Sequence, residues 1–358
     1  MIEFVVRVPD PQNAEPVFLT GDVPELGRWH PRGAMMHPVG HGLYHALIPL
    51  FEPRRTRFLF TRGDWRKVEQ LESGGERPAR EVQVEPGSRF EHSVAGWGRE
   101  SVRYHPNFQS RFLPGERGLN VYLPPGYGID PFRRYPVVYM HDGQNLFDPH
   151  AAFAGNPWRC DDTAEQAIRR GQCEPVLVVG VANSPERIRE YGPKDGDDLA
   201  NRYGRMIVED VKPFIDATYR TRPEAAATAT GGASLGGLIS LHLCKWYPEI
   251  FGRCIAMSPS VWWDRERFIE TLRDNDRWLD TCRIWLDIGG REGGSHEGMV
   301  ATLERTRRLG ALLRTAMPAR PGVFHYVEDP DGRHNETDWG RRFPEALQFL
   351  FPRSETQS

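Results

Sequence analysis

Residues 227–240 read ATATGGASLGGLIS. Small, β-prone residues run into two glycines, then Ser234, then two more glycines, and an apolar helical pattern (Leu235, Leu238, Ile239, Leu241) follows. A strand over 226–230 and a helix over 235–246, joined by a sharp turn, would lift the Ser234 hydroxyl clear of the sheet and hold its backbone in a strained conformation. Side chains two residues to either side would collide in such a turn. Those positions are Gly232 and Gly236, and Gly237 lets the helix approach the sheet. The same letters also fit a plain strand-to-helix turn with Ser234 as N-cap. Whether Ser234 is a nucleophile depends on partners elsewhere in the chain.

Those partners are expected on loops just past the C-terminal ends of strands, in the order serine, acid, histidine. The strand-like run 322–327 leads into EDPDGRHNETDWG, which carries His334 ahead of a final helical segment. His325 falls inside that strand, His296 is out of order, and His141 ends an earlier strand. The run 283–288 leads into GGREGGSHEG, where Glu292 lies four residues past Ile288. Asp287 is the rival acid, but it sits within the strand, where alternation fixes its direction; Glu297 is a weaker one. An oxyanion hole needs backbone N–H groups converging on one point. Leu235, next after the serine, is one candidate, and Gly143 or Gln144 in HDGQN is the other. Trp158, Tyr191, Trp262 and Trp263 follow strand ends and are candidates to line the substrate pocket, with Glu190 and Arg189 as polar contacts.

Around this stretch the chain has two textures. Residues 1–97 show short alternating runs (Ile2–Val8, Pro16–Thr20, Leu43–Leu50, Thr56–Thr61, Arg80–Val84, Arg89–Val94) punctuated by Gly, Pro and Asp, a small β-sandwich pattern. Residues 98–107 read as a linker. From 108 to 352, apolar strands (Leu119–Leu123, Tyr135–His141, Pro175–Val181, Ala226–Thr230, Arg253–Met257, Arg283–Ile288, Val323–Val327) alternate with helical segments. These helices are 163–170, with Asp162 and Glu165 spaced as a capping box, 199–219, bent near Pro213, 235–246, 298–317 and 339–350. That alternation predicts an α/β domain with a mostly parallel sheet covered on both faces, followed by a tail at 353–358.

Composition narrows the function classes. The net charge is −3 and no dense Lys/Arg block occurs, so nothing points to nucleic acid or an anionic membrane. The five Cys include no CxxC pair and fit free thiols in a reducing compartment, which makes cytoplasmic the expected location. No signal peptide is expected from the first residues, and no apolar run approaches the length of about 18 residues that a membrane span needs. His37, His41 and His45 lie in a loop-and-strand context that does not by itself make a tetrahedral metal site, and no dinucleotide or calcium-loop fingerprint occurs. No metal and no cofactor are expected.

The segments VYLPPGYGIDPFRRYPVVYMHDGQNLFD, ERIREYGP, VKPFIDATYRTRP, GGASLGG, YPEIFGRCIAMSPSVWW and HNETDW resemble, in order, the esterase D and enterochelin-esterase-like branch of the α/β-hydrolases, over about 111–351. The resemblance implies an α/β-hydrolase fold, with Ser234 as nucleophile and His334 as general base. It also implies an acid on the glycine-rich loop, here Glu292. The implied activity is a serine esterase working through an acyl-enzyme. Siderophore lactones, feruloyl sugars, acetylated glycans and small thioesters all stay open as substrates. An acyltransferase of the same fold, or a carbohydrate-binding or scaffold protein with a vestigial hydrolase domain, is the alternative.

The N-terminal stretches VFLTGDVPELGRWHP and RFLFTRGDWRKVEQLESGGERPAR resemble starch- and glycogen-binding β-sandwich modules. That resemblance implies polysaccharide binding, with Trp29 as one exposed aromatic of the sugar site. The usual lysine of that site is Leu59 here, and the second platform tryptophan falls at Gln70. Docking or self-association into a homo-oligomer is the other role open to such a module.

Overall fold

A computed structural model describes residues 1–13, 15–72, 77–98, 101–272, 277–317 and 322–353. The chain divides into two compact units. One comprises Met1–Ser101 with Pro124–Pro131 and Glu165–Gln172; the other comprises Val102–Leu123, Phe132–Ala164 and Cys173–Ser358.

The first unit is built of strands β1 (Ile2–Arg7), β2 (Val17–Gly21), β3 (Ala34–Gly40), β4 (Leu43–Ile48), β5 (Arg54–Thr61), β6 (Glu69–Gln70), β7 (Arg80–Val84), β8 (Arg89–Ser93) and β9 (Gly96–Trp97). Seven of them run in the order β7-β5-β2-β3-β4-β1-β8, and β6 pairs with β9. β3 serves two ladders: Ala34–Met36 pairs with β2, and His37–Gly40 pairs with β4. The chain thereby folds over on itself, and inward-facing Phe4, Val6, Leu19, Ala46, Phe58 and Phe60 form one core. β3 was not evident in the sequence: Pro38 and Gly40 interrupt it, and only Met36 is buried.

Trp29 corrects an expectation. It is 2% exposed and packs with Leu59, Trp65 and Val68, so its ring offers no face to a sugar. A hydrophobic ring in a cluster of this kind contributes to stability through burial rather than to recognition.

The second unit holds β10 (Val102–Gln109), β11 (Glu116–Tyr122), β12 (Val137–His141), β13 (Leu177–Val181), β14 (Thr228–Ala233), β15 (Arg253–Met257), β16 (Arg283–Gly289) and β17 (Phe324–Asp329). They form one sheet in the order β10-β11-β13-β12-β14-β15-β16-β17. β10, β11 and β13 pair antiparallel, and from β13 to β17 every pairing is parallel. Every residue of β12, β13 and β14 is buried. Successive side chains point to opposite faces, so both faces of the central sheet are covered. This is the α/β-hydrolase architecture. The stretch read as a linker, 98–107, is corrected in part: from Val102 onward it is the edge strand β10, whose exposed alternation and Pro106, at a register shift, concealed it. Residues 99–100 of that stretch, and 354–358 of the tail, lie outside the described residues.

The helices are α1 (Cys160–Arg169), α2 (Arg187–Tyr191), α3 (Leu199–Arg205), α4 (Lys212–Thr218), α5 (Leu235–Trp246), α6 (Trp263–Thr271), α7 (His296–Ala316) and α8 (Glu336–Leu350). The expected capping box at Asp162 and Glu165 is not one. α1 begins at Cys160, Asp162 binds Arg159, and Glu165 binds Arg169. The bend foreseen near Pro213 is a π-helical turn, Met206–Val211, between α3 and α4. The wider turn accommodates a proline that has no N–H to give to the helix ladder. α5 packs on β14 and β15, α7 on β16 and β17, and α8 on β15 and β16.

Candidate active site

The strand order reverses around β12, whose neighbours β13 and β14 are both later in the chain. A crevice opens at such a point, beyond the carboxyl ends of the strands. The residues just past β12, β13, β14 and β17 line one open cleft of about 370 Å3. Ser234, His334, Asp142, Arg187, Glu336 and Trp158 are among its walls.

Ser234 sits between β14 and α5 with φ 58° and ψ −126°, a region that L-residues seldom occupy. Tertiary bonds hold it there. Its N–H donates to Met257 O (3.0 Å), and its carbonyl accepts from Leu238 (3.1 Å) and Ser260 (3.1 Å). Its Oγ lies 3.2 Å from Ser260 Oγ. A Cβ on Gly232 would come within 3.0–3.1 Å of the Gly236 backbone, and one on Gly237 within 2.9 Å of Met257 O. Gly232 and Gly237 are thus a steric condition of the turn, whereas a Cβ on Gly236 would lie 3.4 Å from His141 Cβ and 3.6 Å from Asp142 Oδ2, so the collision expected there does not occur. Behind them His141 is buried between Tyr203 OH (2.7 Å) and Thr230 Oγ1 (3.2 Å). Burial lowers its pKa to about 3, so it is a neutral structural residue at pH 7.

His334 follows β17 and lies edge-on to Trp339, ring centroids 4.8 Å apart. Its Nδ1 is 2.8 Å from Glu292 Oε2. Glu292 is 2% exposed, and its Oε1 accepts from Gly289 N–H (2.8 Å) and from the Ser258 hydroxyl. Ser258, with φ 41°, also accepts from Trp339 Nε1 (3.0 Å) and Arg342 Nη2 (3.1 Å). Of the carboxylates weighed for this position, Glu292 touches the imidazole. Asp287 instead accepts from Trp285 Nε1 (2.8 Å) and lies 3.0 Å from Arg342 Nη2. Burial pushes the Asp287 carboxyl up to about 6, with Arg342 opposing and Glu292 adding to the rise.

Leu235 is the first residue of α5, and Gly143 and Gln144 open a 3-10 turn, Gly143–Asn145, after β12. The leading N–H groups of such turns have no acceptor within the turn. A Cβ on Gly143 would lie 2.5 Å from Val181 N, so only glycine fits against β13.

The expected substrate contacts divide. Trp158 lines the cleft and stacks obliquely on Trp339, centroids 5.6 Å apart. Glu190 does not: it is buried in an ion pair with Arg117 and accepts from Ser184 Oγ (2.8 Å). Tyr191 is buried against His141 and Tyr203, and its hydroxyl accepts from Asp142 N–H (3.2 Å), so it braces the cleft from behind. Arg189 is bound to Asp197 and Glu186. Trp262 is half-exposed and meets Trp263, which faces a separate cavity floored by Leu238, His242 and Phe268. Arg189, Glu190 and Tyr191 were placed in the site because they follow a strand end; α2 turns Glu190 and Tyr191 inward and leaves Arg189 exposed.

The cleft also holds residues the sequence did not single out. Arg187 binds Asp142 with two parallel bonds, Nε–Oδ1 and Nη2–Oδ2, each 2.7 Å, and Asn183 Nδ2 donates to Asp142 Oδ1 (2.6 Å). Glu336, at the start of α8, accepts from Asn145 Nδ2 (3.3 Å), and burial followed by the charge of Asp142 raises its pKa. Among the described residues no group of three or more His, Cys, Asp or Glu is placed to hold a metal ion, and no helix is long and apolar enough to cross a membrane.

The family described as "Putative esterase" matches residues 110–350. The iron(III) salmochelin esterase of Escherichia coli O6:H1 is 29% identical over 67% of this chain and 56% of its own length. The uncharacterized protein YbbA of Bacillus subtilis is 26% identical over 69% of this chain and 97% of its own length. Among solved structures, the enterochelin esterase of Shigella flexneri superposes with a TM-score of 0.57 at 16% identity, covering 97% of this chain and 91% of that one. A ferulic acid esterase superposes at 0.55 and 20% identity, covering 70% and 97%. At those identities the superpositions establish the fold. On the family match and the named esterase relatives, the chain belongs to this esterase family and is a carboxylic ester hydrolase with an α/β-hydrolase fold.

Proposed function

We propose that the protein hydrolyses esters through an acyl-enzyme carried on Ser234, with His334 as general base and acid and Glu292 as the residue that orients the imidazole. The observation that carries this reading is the Glu292–His334 bond of 2.8 Å, set in the same cleft as a serine held at φ 58°. A carboxylate on Nδ1 fixes the tautomer that leaves Nε2 free to accept a proton, and it stabilises the imidazolium that results. Ser234 Oγ gives its proton to Nε2 and attacks the ester carbonyl. The N–H groups of Leu235 and of Gly143 or Gln144 stabilise the oxyanion. Collapse expels the alcohol, protonated by His334, and water repeats the sequence to release the acid. Buried free thiols at all five cysteines suit a reducing compartment, and we place the reaction in the cytoplasm.

Labelling with a fluorophosphonate and mapping the modified peptide tests the nucleophile. A single adduct on Ser234, abolished in Ser234→Ala, is expected. An adduct on another serine would overturn the assignment.

A further inference from the structure

The charges that line the cleft do not balance. Asp142 and Arg187 cancel: the side-on edge of the guanidinium, Nε with Nη2, is closed on Asp142 at 2.7 Å twice. Glu336 has no such counterpart. Among the described residues no Lys or Arg nitrogen lies within ion-pair distance of it, and its side-chain bond is to the neutral Asn145 amide. Burial raises its pKa most and the nearby Asp142 carboxylate adds to the rise, while its own backbone N–H and the charges of His334 and Arg187 oppose it without reversing it. Apart from Ser234 and His334, the remaining polar side chains of the cleft, Gln144, Asn145 and Asn183, are uncharged. Phe153, 73% exposed, and Trp158 supply apolar surface beside them.

We propose that this cleft selects esters whose alcohol is hydroxyl-bearing or cationic, that it turns away esters carrying a carboxylate near the scissile bond, and that Glu336 sets this discrimination. A hydroxyl donates to the half-buried Glu336 carboxylate and gains a charge-assisted bond. A carboxylate in the same place meets a like charge, and the side-on edge of Arg187 is not free to receive it. A cation is accepted for the reason that an anion is refused. This inference rests on the esterase reading above and adds the substrate class to it.

Three butyryl esters differing in alcohol charge provide the test: monobutyrin (neutral diol), butyrylcholine (cationic) and O-butyrylglycolate (anionic). With a like charge at about 6 Å in a partly screened site, the anionic ester should fall about tenfold or more below monobutyrin in kcat/KM, chiefly through KM. Glu336→Gln should shrink that gap about tenfold. The wild-type enzyme gives an independent readout: raising ionic strength from about 0.1 M to about 1 M shortens the screening length and should narrow the gap. Equal kcat/KM for the three esters, with hydrolysis dependent on Ser234, overturns the proposal and leaves the esterase reading standing. So does a gap that neither salt nor Glu336→Gln alters. Hydrolysis that survives Ser234→Ala overturns the esterase reading, and this inference with it.

Discussion

Glu292 Oε2 and His334 Nδ1 stand 2.8 Å apart, yet the two residues lie on the loops after different strands and 42 positions apart in the chain. The carboxylate is buried, and its other oxygen is saturated by Gly289 N–H and the Ser258 hydroxyl. It therefore has one orientation, and the imidazole takes its own from it.

Glu292→Gln should separate charge from shape. The amide oxygen can still accept at the Oε1 position, which places the NH2 against His334 Nδ1 and reverses the favoured tautomer. A fall in kcat of about a hundredfold to ten-thousandfold with KM little changed is expected on a p-nitrophenyl acyl ester. A fall of less than tenfold would remove Glu292 from the account.

Ser258→Ala should act on stability as well as activity. Its hydroxyl is where Glu292, Trp339 and Arg342 meet, and all of them are buried. Without it the Trp339 N–H loses its acceptor, at a cost of about 1–3 kcal/mol. Urea denaturation measures that cost directly, and an unchanged midpoint would show that the cluster contributes nothing.

Gly143→Ala should damage the turn after β12. The added methyl would sit 2.5 Å from Val181 N and 2.7 Å from Gly180 O, backbone atoms of a central strand that cannot yield. The turn must move away from β13, and with it the Gly143 and Gln144 N–H groups. Loss of an aligned oxyanion donor is worth about a hundredfold to a thousandfold in kcat. Wild-type turnover in a folded Gly143→Ala protein would place the oxyanion hole elsewhere.

Asp287 gives a pH signature. Its carboxyl, ordinarily at 3.8, is raised to about 6, so between those values the folded protein keeps a proton that the unfolded chain has released. The stability this group contributes is whole below 3.8 and is lost as pH rises through 6. Asp287→Asn abolishes the titration. The unfolding free energy of the variant minus that of the wild type should therefore climb between about pH 4 and about pH 6, by on the order of 3 kcal/mol, and be flat outside that window. A difference that is constant with pH would contradict the raised value.

What the sequence made legible was local. The spacing of Gly232, Ser234 and Gly236 and the change from strand to helical period placed the turn, and helix 235–246 was foreseen with the bounds that α5 has. His334 and Glu292 were singled out because α/β sheets put functional loops at strand ends, and the two side chains do meet. Long-range pairing was not legible. Nothing in the letters joins Arg187 to Asp142 or brings Ser258 and Arg342 to Glu292, since each contact spans at least 34 positions. Direction was the other gap. Glu190, Tyr191 and Trp29 carry side-chain types that bind ligands, and only the packing of α2 and of the Trp29 cluster shows that they face inward. β10 escaped because an edge strand with a proline and mostly exposed residues reads like a connection.

The measurement that tests the account most directly is steady-state turnover of purified, folded Ser234→Ala on a p-nitrophenyl acyl ester. The account predicts a loss of kcat/KM on the order of ten-thousandfold or more, with the fold intact. Activity within tenfold of wild type would contradict it, because no acyl-enzyme could then pass through residue 234.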